Sequence, residues 1–311
     1  MTTVFDDLRD PQYAIIDVRS PAEYQQGHIP NAINIPLFSN DERAHVGTLY
    51  VQQGAAIAFD EGLRYVGSRM LELVQRARAL DRPLIVYCWR GGMRSSSVAW
   101  LYAAAGLQTR IVPRGYKGFK AWARNVIAQP WKYHVIGGMT GAGKTDYLHD
   151  LIGRGEQALD LEALAHHKGS VFGAMGPQPT TEHVHNMIAM SLASCDPSRE
   201  IFIEDESRPI GTVYLPEVLF DAMQSARMTT LDTPREERIA RLVRDYGEVS
   251  AEMLLSAFSR IERKLGGERY ARACEAVAAG DLATAADLAL SYYDATYAYY
   301  HKRRITNTIV P

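Results

Sequence analysis

Tyr133-His134-Val135-Ile136-Gly137-Gly138-Met139-Thr140-Gly141-Ala142-Gly143-Lys144-Thr145 is the stretch from which the architecture of this chain is read. An apolar run of strand type enters a glycine-rich turn, and a helical pattern starts at Lys144. Gly138 to Thr145 satisfies G-x-x-x-x-G-K-[ST] in the strand–turn–helix context that the motif requires. Backbone N–H groups of such a turn wrap a diphosphate, Lys144 neutralises its charge, and Thr145 is placed to ligate Mg²⁺ if a metal is used. Gly138, Gly141, Gly143, Lys144 and Thr145 are therefore the candidate phosphate-binding residues. The pattern selects for phosphate and leaves open what the phosphate carries, a nucleoside or a prenyl chain.

Downstream, Ile201-Phe202-Ile203-Glu204-Asp205-Glu206 reads as an apolar strand ending in carboxylates, which can hold a metal or a water beside such a loop. Asp205 is the expected acid, with Glu204 and Glu206 as rivals; Ser207-Arg208 follow and could meet a phosphate or an RNA backbone. Met228 to Leu231 is a further strand, and residues 234–305 read mostly as helix, with a break near Gly266-Gly267.

Upstream, short strands are expected at Ala14–Val18, Ile33–Ile35, Leu84–Tyr87 and Arg110–Val112, with helices between them. Residues 40–80 read as mainly helical, broken near Gly54 and Gly62. Strands alternating with helices imply a parallel sheet with helices on its faces. The Leu84–Tyr87 strand runs into Cys88-Trp89-Arg90-Gly91-Gly92-Met93-Arg94-Ser95, followed by a small-residue helix. This second strand–loop–helix turn is also an anion cradle, and it lowers the pKa of a thiol placed in it. Cys88 is the candidate nucleophile, Arg90 and Arg94 supply positive charge, and Gly91 and Gly92 allow a tight loop. A buried core cysteine is the weaker reading, because two arginines and two glycines follow it. The boundary between the two parts falls near Gln129-Pro130, giving domains of residues 1–130 and 131–311.

Composition agrees with two soluble α/β domains. The chain has 311 residues, 47% hydrophobic and 23% charged, with net charge −2. Residues 1–130 carry about +4 and residues 131–311 about −6, so the chain as a whole is not a basic nucleic-acid binder. Three sparse cysteines, Cys88, Cys195 and Cys274, argue against a disulfide framework and against a zinc site, and no metal-ligand set is expected. No signal peptide or membrane span is visible, so a cytoplasmic protein is the expectation.

Ile16-Asp17-Val18-Arg19, Glu23-Tyr24, Gly27-His28-Ile29-Pro30 and Ala32-Ile33-Asn34-Ile35 resemble the opening motifs of rhodanese sulfurtransferases. Cys88 falls where that family places its persulfide-forming cysteine. The resemblance implies a rhodanese-like parallel-sheet domain, with Asp17, Arg19 and His28 as structural residues. The common rhodanese loop reads Cys-x-x-Gly-x-Arg-Ser. Here Cys88 and Arg94 are separated by five residues, as in rhodanese-related phosphatases and arsenate reductases, and a longer loop can surround a larger tetrahedral anion.

The joining of this domain to a P-loop NTPase-like α/β domain with a helical C-terminal part resembles the tRNA 2-selenouridine synthases. Residues 41–54, residues 160–173, Glu204–Gly211, Lys264–Tyr270 and Tyr292–Tyr297 are similar to segments of that family, in the same order. Lys168 stands where an Arg is usual and Ala295 where a Pro is usual. The resemblance implies a transferase that turns 2-thiouridine at the wobble position of certain tRNAs into 2-selenouridine. Its co-substrates would be geranyl diphosphate and selenophosphate, through an S-geranyl intermediate, with no covalent cofactor and with a selenophosphate-producing enzyme as a candidate partner. Cys88, Arg90 and Arg94 would then serve the selenium step and the P-loop the diphosphate, and Gly62 lies in a region expected to contact the prenyl group. Arg235, Arg238, Arg241 and Arg244 on a helix are expected to pair mostly with the interleaved Asp232, Glu236, Glu237 and Asp245. They are one candidate RNA contact. Tyr292, Tyr293, Tyr297, Tyr299 and Tyr300, with Lys302, Arg303 and Arg304, are another. The competing readings are a rhodanese-fused P-loop kinase or NTPase, a Cys-x5-Arg phosphatase and a sulfur-carrier docking module.

Overall fold

A computed structural model of the chain describes residues 3–170, 172–173, 176–301 and 308–310, with side chains to Tyr297. The chain divides into two units, residues 1–127 with 185–194, and residues 128–184 with 195–311.

The first unit runs α1 Val4–Asp7, β1 Ala14–Asp17, α2 Pro21–Gln26, β2 Ile33–Asn34, α3 Asn40–Gln52, α4 Ala55–Gly67, α5 Met70–Arg78, β3 Leu84–Tyr87, α6 Met93–Ala104, β4 Thr109–Ile111 and α7 Gly115–Ile127. All pairings in its sheet, ordered β2-β1-β3-β4, are parallel. Ile16, Leu84, Ile85, Val86 and Tyr87 are buried from both faces, as a sheet covered by helices on both sides requires. Local chemistry sets the helix starts. Ser39 Oγ accepts the Glu42 N–H at 3.2 Å while the Glu42 carboxylate accepts the Ser39 N–H at 2.8 Å, a reciprocal cap for α3. The helical stretch does break at Gly54, but Gly62 lies inside α4 and not at a break. A Cβ there would stand 3.3 Å from Phe38 Cζ, so this glycine serves the close approach of α4 to the Phe38 ring.

The second unit runs β5 Lys132–Gly138, α8 Lys144–Gly153, β6 Gln157–Leu159, α9 Leu161–Ala165, α10 Thr181–Ala193, β7 Glu200–Glu204, β8 Pro209–Ile210, β9 Val213–Tyr214, α11 Glu217–Ser225, β10 Arg227–Leu231, α12 Arg235–Tyr246, α13 Ala251–Leu265, α14 Gly267–Ala278, α15 Leu282–His301 and β11 Thr308–Val310. Most of α10 belongs to the first unit. The sheet is ordered β11-β10-β5-β7-β6, again wholly parallel, with β5 at its centre. The short edge strands β6 and β11 and the β8–β9 hairpin were not anticipated from sequence. With two or three residues each, they carry no periodicity to read. Helices α13, α14 and α15 build their own apolar core around Phe258, Ile261 and Leu265.

Candidate active site loops

In the first unit Cys88 directly follows β3 and is 3% exposed. Its Sγ lies 3.2 Å from Ser95 Oγ and 3.9 Å from Gly92 O. Burial pushes the thiol pKa up. Hydrogen bonds from the Ser95 hydroxyl and from the Ser95 and Arg90 N–H groups, with the Arg94 charge, outweigh it and leave the thiol below its ordinary value. Gly92 caps α6, so the loop ends at a helix N-terminus as its sequence implied. Arg94 meets the carboxylate of Glu23 at 2.8 Å, and Arg43 approaches the same carboxylate at 3.7 Å. Its charge is thus shared between Glu23 and the thiol. Arg90 is exposed.

A second wall of this loop was not found in the sequence. The Tyr116 N–H donates to Cys88 O and the Lys117 N–H to Trp89 O, both at 2.9 Å, so the start of α7 holds the loop from behind. Gly91 and Gly115 touch with φ of +65° and +58°, and a Cβ on Gly115 would stand 2.3 Å from Cys88 O. Gly115, a glycine at the head of α7, is the residue whose missing Cβ permits this contact.

Asp17, Arg19 and His28 make contacts within the first unit that suit the structural role expected of them. Arg19 and Asp17 form a fully buried ion pair, and the Arg19 guanidinium also donates to Gly27 O and lies 4.0 Å over the Tyr116 ring. His28 stacks on Tyr24. Asn186, also missed, donates to His28 O at 2.8 Å and to the Tyr116 hydroxyl at 2.7 Å.

In the second unit Gly138, Gly141 and Gly143 have φ of +151°, +78° and +89°, and Lys144 opens α8. The loop backbone therefore turns as the motif demands. Lys144 Nζ donates to Gly138 O at 3.3 Å, and the Gly138 N–H donates to the Tyr297 hydroxyl at 3.0 Å. The carboxylate that meets Thr145 is Glu204, at 2.8 Å, with Glu162 at 3.2 Å. Asp205, the acid expected there, instead offers its backbone N–H to Ile136 O. Adjacent residues of a strand face opposite sides, so the strand's last residue and not the next one reaches Thr145. Burial, with Glu162 and Asp160 close by, raises the Glu204 pKa to about 8. Burial against Glu162 and Glu204, only partly offset by Lys144, raises Glu206 to about 8 as well. These carboxyls titrate as a set.

The arginines of α12 do not find their partners among the interleaved acids, apart from Arg244 with Asp245. Arg238, 4% exposed, pairs with Asp294 of α15 and donates Nε to Thr140 O at 2.9 Å. Arg241 donates to Gly141 O at 2.8 Å and pairs with Asp146. Arg235 pairs with Asp287 and Asp294. Two of the four thus fasten the P-loop from its carbonyl side. Tyr297 belongs to the same apparatus, whereas Tyr292 and Tyr293 pack against the helical core. The side chains of Tyr299 and Tyr300, and Lys302, Arg303 and Arg304, lie outside the described residues.

Residues 131–310 match the family model described as the tRNA 2-selenouridine synthase AAA domain, and residues 2–123 match that of the rhodanese-like domain. The chain belongs to the tRNA 2-selenouridine synthase family. Relatives named tRNA 2-selenouridine synthase are 36% identical in Bordetella bronchiseptica and 33% identical in Cupriavidus pinatubonensis, each alignment covering 95% of this chain and 90% of the relative. One from Nitrosomonas europaea is 36% identical over 75% of this chain and 63% of the relative. This chain carries a cysteine loop in its first unit and a glycine-rich loop of P-loop sequence in its second. Among the described residues no helix is long and apolar enough to cross a membrane.

Proposed function

We propose that this tRNA 2-selenouridine synthase family member is a transferase converting 2-thiouridine at the wobble position of tRNA into 2-selenouridine in two steps. In the first, the uridine sulfur attacks C1 of geranyl diphosphate; a C–S bond forms, the C–O bond breaks and diphosphate leaves. In the second, selenium from selenophosphate adds at C2, geranylthiol leaves, and water takes the phosphoryl group. Ring sulfur departs poorly as it stands, and alkylation makes it a competent leaving group.

The observation that carries this reading is the presence of two anion cradles of different chemistry in a chain of this family. The P-loop offers Lys144 and inward N–H groups to the departing diphosphate, stabilising charge where it develops. Thr145 and Glu204 are hard oxygen donors suited to Mg²⁺, which would supply further charge neutralisation there. Cys88, with its depressed pKa and the Arg94 charge, serves the selenium step as selenium carrier or as a ligand to the anion. The tRNA would present a splayed wobble base, gripped through its backbone.

The test is mass spectrometry of nucleosides from 2-thiouridine tRNA incubated with protein, geranyl diphosphate and selenophosphate. Wild type should give 2-selenouridine. Cys88→Ser should accumulate S-geranyl-2-thiouridine, and Lys144→Ala should give little of either product. Unchanged thiouridine with folded wild-type protein would refute the reading. Nucleotide hydrolysis indifferent to tRNA would then point to a kinase or NTPase.

A further inference from the structure

The P-loop of the second unit has an apolar neighbour. Beside it, within the same unit, α12, α13, α14 and α15 line a partly open cavity of about 50 Å³. Leu242 and Val243 come from α12, Phe258 from α13 and Ala286 from α15, while Thr140 and Ser170 stand in its wall from loops.

Two observations connect this cavity to the phosphate site. Thr140 is itself a P-loop residue, and Leu242 lies directly against the loop: a Cβ on Gly141 would stand 3.3 Å from Leu242 Cγ. Ser170 follows Gly169, whose Cβ position lies 2.7 Å from Glu162 Oε1 and 2.8 Å from Glu206 Oε2, the carboxylates grouped with Glu204 around Thr145. The cavity is thus bordered by one segment that wraps the phosphate and another that covers the acids beside it.

Its chemistry excludes a nucleoside. A purine or a ribose needs polar partners, and a buried polar group without one costs free energy. Beyond Thr140, Ser170 and the two tyrosines Tyr246 and Tyr293 the wall is aliphatic and aromatic, and the Tyr246 hydroxyl is already bonded to Ser170 Oγ at 3.1 Å. The volume takes a slender chain and not a fused ring system.

We propose that this cavity receives the distal end of the hydrocarbon tail of a prenyl diphosphate whose diphosphate sits on the P-loop. The inference rests on the geranyl diphosphate reading above and assigns the distal end of the tail to the helical part of the second unit rather than to the region of Gly62, with Ala286 and Val243 limiting the length of chain accepted. Both are half-buried. Replacing Ala286 by Leu fills the cavity, and replacing Val243 by Ala deepens it.

The experiment is calorimetric titration of the full chain with inorganic diphosphate, geranyl diphosphate, farnesyl diphosphate and ATP. Wild type should bind geranyl diphosphate about 100-fold more tightly than inorganic diphosphate, as expected for burial of several methylene-sized groups. Ala286→Leu should reduce that preference by about 10-fold while inorganic diphosphate still binds, which also reports a folded P-loop. Val243→Ala should move preference toward the farnesyl compound. If wild type prefers geranyl diphosphate and both variants keep its preference unchanged, the tail lies elsewhere and the cavity is a packing gap. If wild type prefers ATP, or binds geranyl diphosphate no better than inorganic diphosphate, the prenyl reading itself falls.

Discussion

Ser95 and Glu204 show how single side chains tune the two loops. The Ser95 hydroxyl is a principal counterweight to the burial of Cys88. Ser95→Ala should move the midpoint of Cys88 alkylation by iodoacetamide to higher pH and slow the reaction near neutrality by about 3–10-fold. An unmoved midpoint would mean that the backbone N–H groups and the Arg94 charge suffice to hold the thiolate. Glu204 gives the opposite case, a carboxyl whose pKa is raised on folding to about 8. Such a group favours the folded state below the ordinary carboxylate range, and that contribution is lost as pH rises from about 4.5 through about 8. Urea unfolding followed in the absence of ligand should therefore show stability falling across this window. Glu204→Gln should flatten the fall by an amount on the order of 2 kcal/mol. Glu162 and Glu206 would keep a residual slope, because they share the same buried space.

At the level of elements, both anion loops depend on helices remote in sequence. The cysteine loop is held by the first N–H groups of α7, and Gly115 permits that contact. The P-loop is held by α12 and α15 through Arg238, Arg241, Asp294 and Tyr297. Removing the acid of a buried pair leaves a cation without its partner, which is more damaging than never having had the pair. Asp294→Ala should therefore destabilise the second unit by about 3 kcal/mol and weaken diphosphate binding, as read by thermal unfolding and calorimetry. Asp294→Asn, which keeps one acceptor oxygen for Arg238, should recover part of both losses. Equal loss in the two variants would show that charge and not hydrogen bonding maintains the contact.

For the whole molecule, the division of the chain matters more than its linear order suggests. Residues 185–194 interrupt the second unit in sequence and belong to the first, where Asn186 is buried and bonded to His28 and Tyr116. A fragment of residues 1–130 lacks them. Expressed alone, it should expose apolar surface, bind a hydrophobic dye and unfold at lower denaturant than the first unit does in the full chain. A synthetic peptide of residues 181–194 added in excess should reverse part of this, and a fragment insensitive to the peptide would show that the segment contributes little.

The two strand–loop–helix turns and the parallel α/β class were legible in the sequence for a physical reason. Each loop is built from consecutive residues, so the loop and the motif that announces it are the same eight or so positions. Apolar strands such as Leu84–Tyr87 and Tyr133–Gly137 announce themselves in the same local way. Only the tertiary structure settled which acid meets Thr145, because strand pleat and register, and not composition, aim Glu204 rather than Asp205. The same holds for the backing of Cys88 by α7, the arginines of α12 turned onto the P-loop, and the loan of α10 to the first unit. These are contacts between residues tens to more than a hundred positions apart, and a local pattern carries no information about which distant partner a side chain will find once the core has closed.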